Sequence, residues 1–411
     1  MEKTKVIVVG AGAAGMMAAG QAALAGAETI LIEKMRRPGL KLAITGKGRC
    51  NLTNSAQIPE FIGHFGKNGR FLRQAFHRFF NTELCDFFQQ HGLKLTTERG
   101  GRVFPSDGKA QHVVTVMTDW LKQCGVKIIR DAPVDRLIVE QGQICGVGYG
   151  SRKLLGDAVI LATGGASYPA TGSSGDGYAL VEPFGHTIET IRPALVPLIA
   201  QPEICGRLDA LNLRNINGGK KADQDFGELV FHKHGVTGPV ILTLSLQAVD
   251  ALRDNKPVEL EIDLKPALDD KKLDARLLRD FAKRNKEELS SILRGLLPKE
   301  LVEVCLDLTG ISPQRLGQDV TADERKRLRV WLKNFRLKVS DHRPFKEAIV
   351  TAGGVRLKEV DPRTMESRKV KGLYLIGELL DLQADTGGYN LQAAFSTGFV
   401  AGQSAAAIAA E

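Results

Sequence analysis

Near its start the chain sets Gly10, Gly12 and Gly15 in the spacing Gly-x-Gly-x-x-Gly, between an apolar run and an Ala-rich run. Few patterns restrict a fold as tightly. Val6-Ile-Val-Val9 reads as a buried parallel strand, Ala13 to Ala25 as a helix, and Thr29-Ile-Leu-Ile32 as the next strand. In such a βαβ unit Gly10 permits the tight turn, Gly12 lets the backbone approach a pyrophosphate, and Gly15 lets helix and strand pack closely. The helix N-terminus, with Ala13 and Ala14 in its first turn, offers unpaired N–H groups and a positive dipole end to phosphates. Glu33 closes the second strand, where a carboxylate accepts hydrogen bonds from ribose hydroxyls and disfavours a 2′-phosphate. Dinucleotide binding is the expectation.

Two later segments bear on which dinucleotide. Asp157-Ala-Val-Ile-Leu-Ala-Thr163-Gly164-Gly165 reads as a strand ending in a glycine turn, and Gly372-Leu-Tyr-Leu-Ile-Gly377-Glu378 as a strand ending in Gly-acid. Both resemble the later FAD contacts of the two-dinucleotide-binding-domain flavoproteins, in which the second acid holds the ribityl chain. Thr386-Gly387-Gly388-Tyr389-Asn390-Leu391 then starts an Ala-rich final helix, read as running from Leu391 to Ala409. Its N-terminal dipole could face the flavin N1/O2 edge and stabilise negative charge on the reduced ring.

Pro38-Gly-Leu-Lys41-Leu-Ala-Ile-Thr45-Gly46-Lys-Gly48-Arg49-Cys50-Asn51-Leu-Thr-Asn54, Val350-Thr-Ala-Gly353-Gly354-Val355 and Thr364-Met-Glu-Ser367 add a more specific signature. With the Gly377 and Gly387 segments they closely resemble the BaiN/RdsA family of FAD-dependent oxidoreductases, over about residues 4 to 409. That family includes an aminoacetone oxidase and a bile-acid-pathway reductase. The resemblance implies an α/β protein with a Rossmann-like FAD-binding domain, interrupted by a β-barrel-like plus helical insert. Lys34, Lys41, Thr45, Gly46, Arg49, Cys50, Asn51 and Val134 complete the residues expected to bind FAD. Leu382-Gln-Ala-Asp385 departs from the family, whose members tend to carry a Val-Asp-Gly-like sequence there.

The texture along the chain agrees with an interrupted domain. A chain of 411 residues exceeds one ordinary core. Residues 1–190 and 336–411 read as the FAD-binding domain, 191–268 as a β-rich insert subdomain and 269–335 as a helical one. Both ends of the insert are tethered near the expected isoalloxazine, so the insert is expected to cover it and to supply most of the substrate pocket. Asn285 with Glu288, and Thr321 with Glu324, look like helix starts, the second a capping box. Gly235-Val-Thr-Gly-Pro239 reads as turn chemistry.

The net charge of +9 would help bind an anionic ligand. Between Asp269 and Glu347 there are 19 basic and 14 acidic residues, without an aromatic-interleaved basic stripe, so a nucleic-acid partner is not expected. The rival reading makes FAD mainly structural, or part of a tRNA-modifying complex. Only one glycine fingerprint with its acid is present, so NAD(P)H is expected at most as a transient electron donor. No residue marks covalent flavin attachment. Six scattered cysteines lack metal-ligand spacing, and Ser55 stands where a second thiol would make Cys50 a dithiol partner. His186, His232 and His234 form no triad or metal pattern, while Tyr168, Tyr178 and Tyr389 flank glycine turns and could line a pocket or donate a proton. No general acid or base is assigned, and metal is not expected. The leading expectation is two-electron transfer between non-covalent FAD and a small molecule, in the cytoplasm and without a membrane segment; the oligomeric state stays open.

Overall fold

The computed structural model describes residues 3–219 and 225–407. It divides into one unit made of residues 1–194 with 345–411, and a second made of residues 195–344.

The first unit is built on a five-stranded sheet. Its strands are β1 (Lys5–Val9), β2 (Glu28–Ile32), β3 (Lys127–Ile129), β4 (Ala158–Leu161) and β5 (Leu373–Leu375), in the order β5-β4-β1-β2-β3. Every pairing is parallel. Val6, Ile7 and Val8 are fully buried, which is why β1 reads as an unbroken apolar run and not as an alternation. The strand order reverses at β1, so the crevice beyond its carboxyl end is the ligand position in a sheet of this kind.

Helix α1 (Ala13–Leu24) crosses from β1 to β2, and helix α4 (Tyr389–Ala406) packs along it. Small residues make that approach possible. A Cβ on Gly398 would stand 2.3 Å from the Ala14 carbonyl oxygen, and one on Gly402 would stand 2.4 Å from that of Ala18. The interruptions Gln392, Ser396 and Thr397 are buried within the unit, where Thr53, Phe79 and Gly377 supply hydrogen-bond partners. The helix begins two residues before the expected Leu391, and the expected end at Ala409 lies outside the described residues. Among the described residues no helix is long and apolar enough to cross a membrane.

The chain leaves and re-enters this unit on antiparallel partners, Ile188–Ala194 and Val350–Val355. Between them lies the second unit, a closed six-stranded antiparallel barrel with helices that share its core. Three expectations need correction here. The return to the first unit comes at Phe345 and not at 336, because Phe335–His342 is a barrel strand paired to both Val258–Asp263 and Leu198–Ala200. The stretch read as β-rich also contains the helix Pro239–Arg253, whose Val240, Ile241, Leu244 and Ala248 recur at helical spacing and are buried. Glu288, read as the third residue of a helix started at Asn285, instead precedes the short helix Leu289–Ile292. The Thr321–Glu324 capping box is present in both directions.

Candidate cofactor site

The carboxyl ends of β1, β2, β4 and β5 gather the glycine-rich segments. Gly10 has φ 100°, and a Cβ on it would stand 2.5 Å from the Ala162 carbonyl oxygen at the end of β4. At Gly15 the constraint is steric, since a Cβ would stand 1.8 Å from the Gly10 oxygen. Gly12 is different. A Cβ there would meet nothing within 4 Å, so open space lies before the first turn of α1, where Ala13 and Ala14 sit and no side chain caps the helix.

Glu33 is only 8% exposed and organises this turn. Its two carboxylate oxygens accept the Ala11 N–H at 2.7 Å and the Met35 N–H at 2.8 Å. One lone pair on each oxygen remains for ribose hydroxyls. Val134 lies half-buried in the coil after β3, and nearby the Ala132 N–H donates to the Glu33 carbonyl. Lys34 turns instead to Asp176, at 2.6 Å, and to the Ser174 hydroxyl.

A second cluster surrounds Glu378. Gly377 follows β5 with φ 65°, its N–H donating to Thr397 Oγ1 and its Cα face lying against the Ala14 side chain. Glu378 Oε2 receives Lys41 Nζ at 2.6 Å, while Oε1 accepts the Thr351 N–H at 2.7 Å and the Ser167 hydroxyl at 2.9 Å. Lys41 Nζ also donates to Ser167 at 2.6 Å. Thr163, Gly164 and Gly165 lead into this cluster from β4. Gly165 has no room for a side chain, as a Cβ would stand 2.3 Å from Thr351 Oγ1.

Lys41 and Thr45 lie on helix α2 (Leu40–Gly48), which is broken at Thr45, Gly46 and Lys47. Thr45 donates its hydroxyl to the Leu42 carbonyl, and its own carbonyl accepts the Cys50 N–H. Cys50 is fully buried with φ 56°, and burial pushes its thiol up to about 12, with the Thr45 side chain opposing. It stays protonated at neutral pH, which removes it as a nucleophile. Arg49 points outward, paired with Glu98 at 2.5 Å and lying 4.4 Å above the Phe104 ring.

At the head of α4, Gly388 has φ 100°, and a Cβ there would stand 2.4 Å from the Thr53 carbonyl oxygen. Asn390 folds back on its own loop, accepting the Ala384 N–H and donating to the Ala384 and Asp385 carbonyls. Leu391 is half-buried in the first turn, which also lacks a side-chain cap. Of the three tyrosines, Tyr168 donates its N–H to the Phe345 carbonyl, and Tyr178 is buried with a hydroxyl that finds no partner. Tyr389 opens α4 and is stacked on the ring of His64 at 3.8 Å.

Three observations fit FAD to these residues. Two helix N-termini are uncapped, the space at Gly12 is open, and the buried oxygens Asn51 Oδ1 and Thr163 Oγ1 have no partner within the protein. A model of the HI0933-like protein Rossmann domain matches residues 4–404. The chain belongs to this family. It is 32% identical, over 98% of its length and 99% of the relative's, to a 3-dehydro-bile acid delta(4,6)-reductase of Clostridium scindens. It is also 32% identical, over 98% of both chains, to a ribosomal RNA dihydrouridine synthase of Escherichia coli. Among solved structures, a flavocytochrome c3 fumarate reductase superposes with a TM-score of 0.52 at 18% identity, covering 98% of this chain and 78% of that one. A 3-ketosteroid delta1-dehydrogenase from Sterolibacterium denitrificans gives 0.54 at 13% identity, covering 99% and 100%. Those two likenesses concern the fold. This HI0933-like protein is an FAD-dependent oxidoreductase with a Rossmann-type FAD-binding domain.

Sequence reasoning passed over His64 and Asp385. They lie 321 residues apart in the chain and meet at 2.9 Å. The signal available was the departure at Leu382-Gln-Ala-Asp385, which places a carboxylate one residue before the Thr386-Gly387-Gly388 turn.

Proposed function

We propose that this HI0933-like protein is a reductase that adds a hydride and a proton across a carbon–carbon double bond conjugated to a carbonyl group. The observation that carries this reading is the pair of full-length relatives at the same 32% identity. Their names describe different molecules with one kind of reacting bond: a dienone in the bile acid, and in uridine the ring double bond conjugated to the C4 carbonyl. FAD, when bound and reduced by a two-electron donor, supplies a hydride for such a bond. The protein's own residues bind, orient and balance charge. Glu33 and the head of α1 would hold the adenosine and pyrophosphate, and Glu378, oriented by Lys41, Ser167 and the Thr351 N–H, would hold the ribityl chain. The head of α4 would face the flavin pyrimidine edge.

A small conjugated ketone is the substrate class proposed first, with NAD(P)H as a transient donor. A uracil within RNA is the second reading, and one feature favours it. Between Lys34 and Arg78 the chain carries ten Lys and Arg residues against Glu60 as the one acidic residue. Arg36, Arg37, Lys47, Arg49, Lys67, Arg70, Arg73 and Arg78 are exposed, so the FAD-binding unit presents a basic stretch of its own. The test is anaerobic. Protein loaded with FAD is reduced with NADH, NADPH or dithionite, then mixed with 4-androstene-3,17-dione or with an unmodified ribosomal RNA transcript. Return of the oxidised flavin spectrum with either probe supports the reading and selects the substrate class. Return with oxygen alone makes the protein an oxidase and defeats it.

A further inference from the structure

Reduction of a conjugated double bond leaves the substrate as an enolate, which needs one proton on the carbon next to the carbonyl. Two polar groups of the cofactor site are unsuited to give it. Cys50 is buried and Lys41 is spent on Glu378 and Ser167. The strongest unassigned cluster in the molecule lies at the head of α4. His64 follows helix α3 (Ile58–Gly63), and its Nδ1 lies 2.9 Å from Asp385 Oδ2. Its ring lies over that of Tyr389, inclined by 19°, and Tyr389 is itself edge-on to Phe61 at 4.7 Å. Two constraints therefore set the imidazole: a carboxylate on one nitrogen and a ring beneath its face.

We infer that His64, oriented by Asp385 and Tyr389, is the general acid that protonates the substrate carbon. The inference rests on the conjugated-bond reductase reading. A carboxylate on Nδ1 fixes the tautomer and leaves Nε2 as the reactive nitrogen. Nε2 has no protein partner among the described residues, and the side chain is 29% exposed, so a proton lost there can be replaced from water. The proton balance is simple: Nε2–H of the imidazolium passes its proton to the α-carbon of the enolate, the imidazole is left neutral, and water restores it.

A plain clamp would not need this arrangement. Asn68 already ties the same two segments together, its Nδ2 donating to the Asp381 carbonyl at 2.7 Å and carboxylate at 2.9 Å. Tyr389 is the rival acid. Its ring is buried and its hydroxyl is held above the ordinary tyrosine range, first by burial and then by Glu60 and Asp385. Covered on one face by the His64 imidazole and met edge-on by Phe61, the Tyr389 ring is the platform, and the more exposed His64 is the donor.

The experiment uses the FAD-loaded protein and its His64→Gln and Asp385→Asn variants. Diethyl pyrocarbonate, applied at about pH 8 where an ordinary imidazole is neutral and with the adduct mapped by mass spectrometry, reads the accessible Nε2 without any turnover. His64 should be carbethoxylated in the resting protein. The three proteins are then reduced anaerobically in D2O and mixed with 4-androstene-3,17-dione and, separately, the RNA transcript. Wild type should place deuterium on one face of the α-carbon. His64→Gln should retain full FAD content, slow flavin reoxidation by about a hundredfold, and lose the facial preference because water now supplies the proton. Asp385→Asn should slow it less. An unmodified His64, or a His64→Gln protein with unchanged rate and facial preference, overturns the assignment and leaves the reductase reading standing. A wild-type protein reoxidised by neither probe overturns both.

Discussion

Replacing Glu33 with Gln tests how much of the cofactor site depends on one buried carboxylate. Both of its oxygens accept backbone N–H groups, from Ala11 and Met35. A glutamine keeps the shape but supplies one acceptor, so its NH2 must face one of those two donors. A buried donor left unsatisfied costs about 1–3 kcal/mol. Because the Ala11 N–H belongs to the glycine turn, the penalty falls on the segment meant to cradle the pyrophosphate. The proposed ribose contact weakens as well, from a charge-assisted hydrogen bond of about 1.5–3 kcal/mol to a neutral one. At about 1.4 kcal/mol per factor of ten, FAD affinity should fall roughly 10- to 100-fold. The thermal midpoint of the FAD-free protein should drop by roughly 3–10 °C. Affinity is read by titrating FAD-free protein with FAD, and stability by a thermal melt in its absence. If Glu33→Gln binds FAD within about threefold of wild type and melts at the same temperature, Glu33 neither holds the turn nor the ribose.

Acid precipitation should release yellow FAD into the supernatant, since the sequence carries no mark of a flavin-attaching His or Cys; flavin retained in the pellet would overturn non-covalent binding. Gly398→Val would drive a Cβ to 2.3 Å from the Ala14 oxygen and lever α4 off α1, at a cost of about 3 kcal/mol, so the melt should come roughly 6–12 °C lower; an unchanged melt would refute the packing argument. His186 is buried beside Ser367 and 3.3 Å from Glu359, and burial, aided by Lys369 and opposed by Glu359, holds its imidazole below the ordinary value of 6.5. The unfolded chain therefore binds this proton first, so the stability contribution is complete above that value and is lost as pH falls below it. Melts of His186→Gln across the same pH range should show a shallower acid-side slope than wild type, and equal slopes would contradict the linkage.

Much of this molecule was legible before any coordinates. Gly10, Gly12, Gly15 and Glu33 specify a βαβ turn because tight backbone geometry and close packing leave little choice of residue, and such local demands show in sequence. The capping box at Thr321 and Glu324 was readable for the same reason, since its partners lie three residues apart. The helix Pro239–Arg253 was misjudged where glycines, a proline and β-branched residues suggest strands, and its burial against the barrel decides the matter. The strand Phe335–His342 alternates buried and exposed residues, yet nothing local assigns it to the barrel and not to the parallel sheet. That assignment comes from strand pairings distant in sequence. The site divides along the same line. The sequence by itself determined the backbone cradle, whose glycines answer to local strain. Only the tertiary structure joined Lys41 to Glu378 and His64 to Asp385, because a side-chain pair more than 300 residues apart leaves no periodicity and no spacing to read.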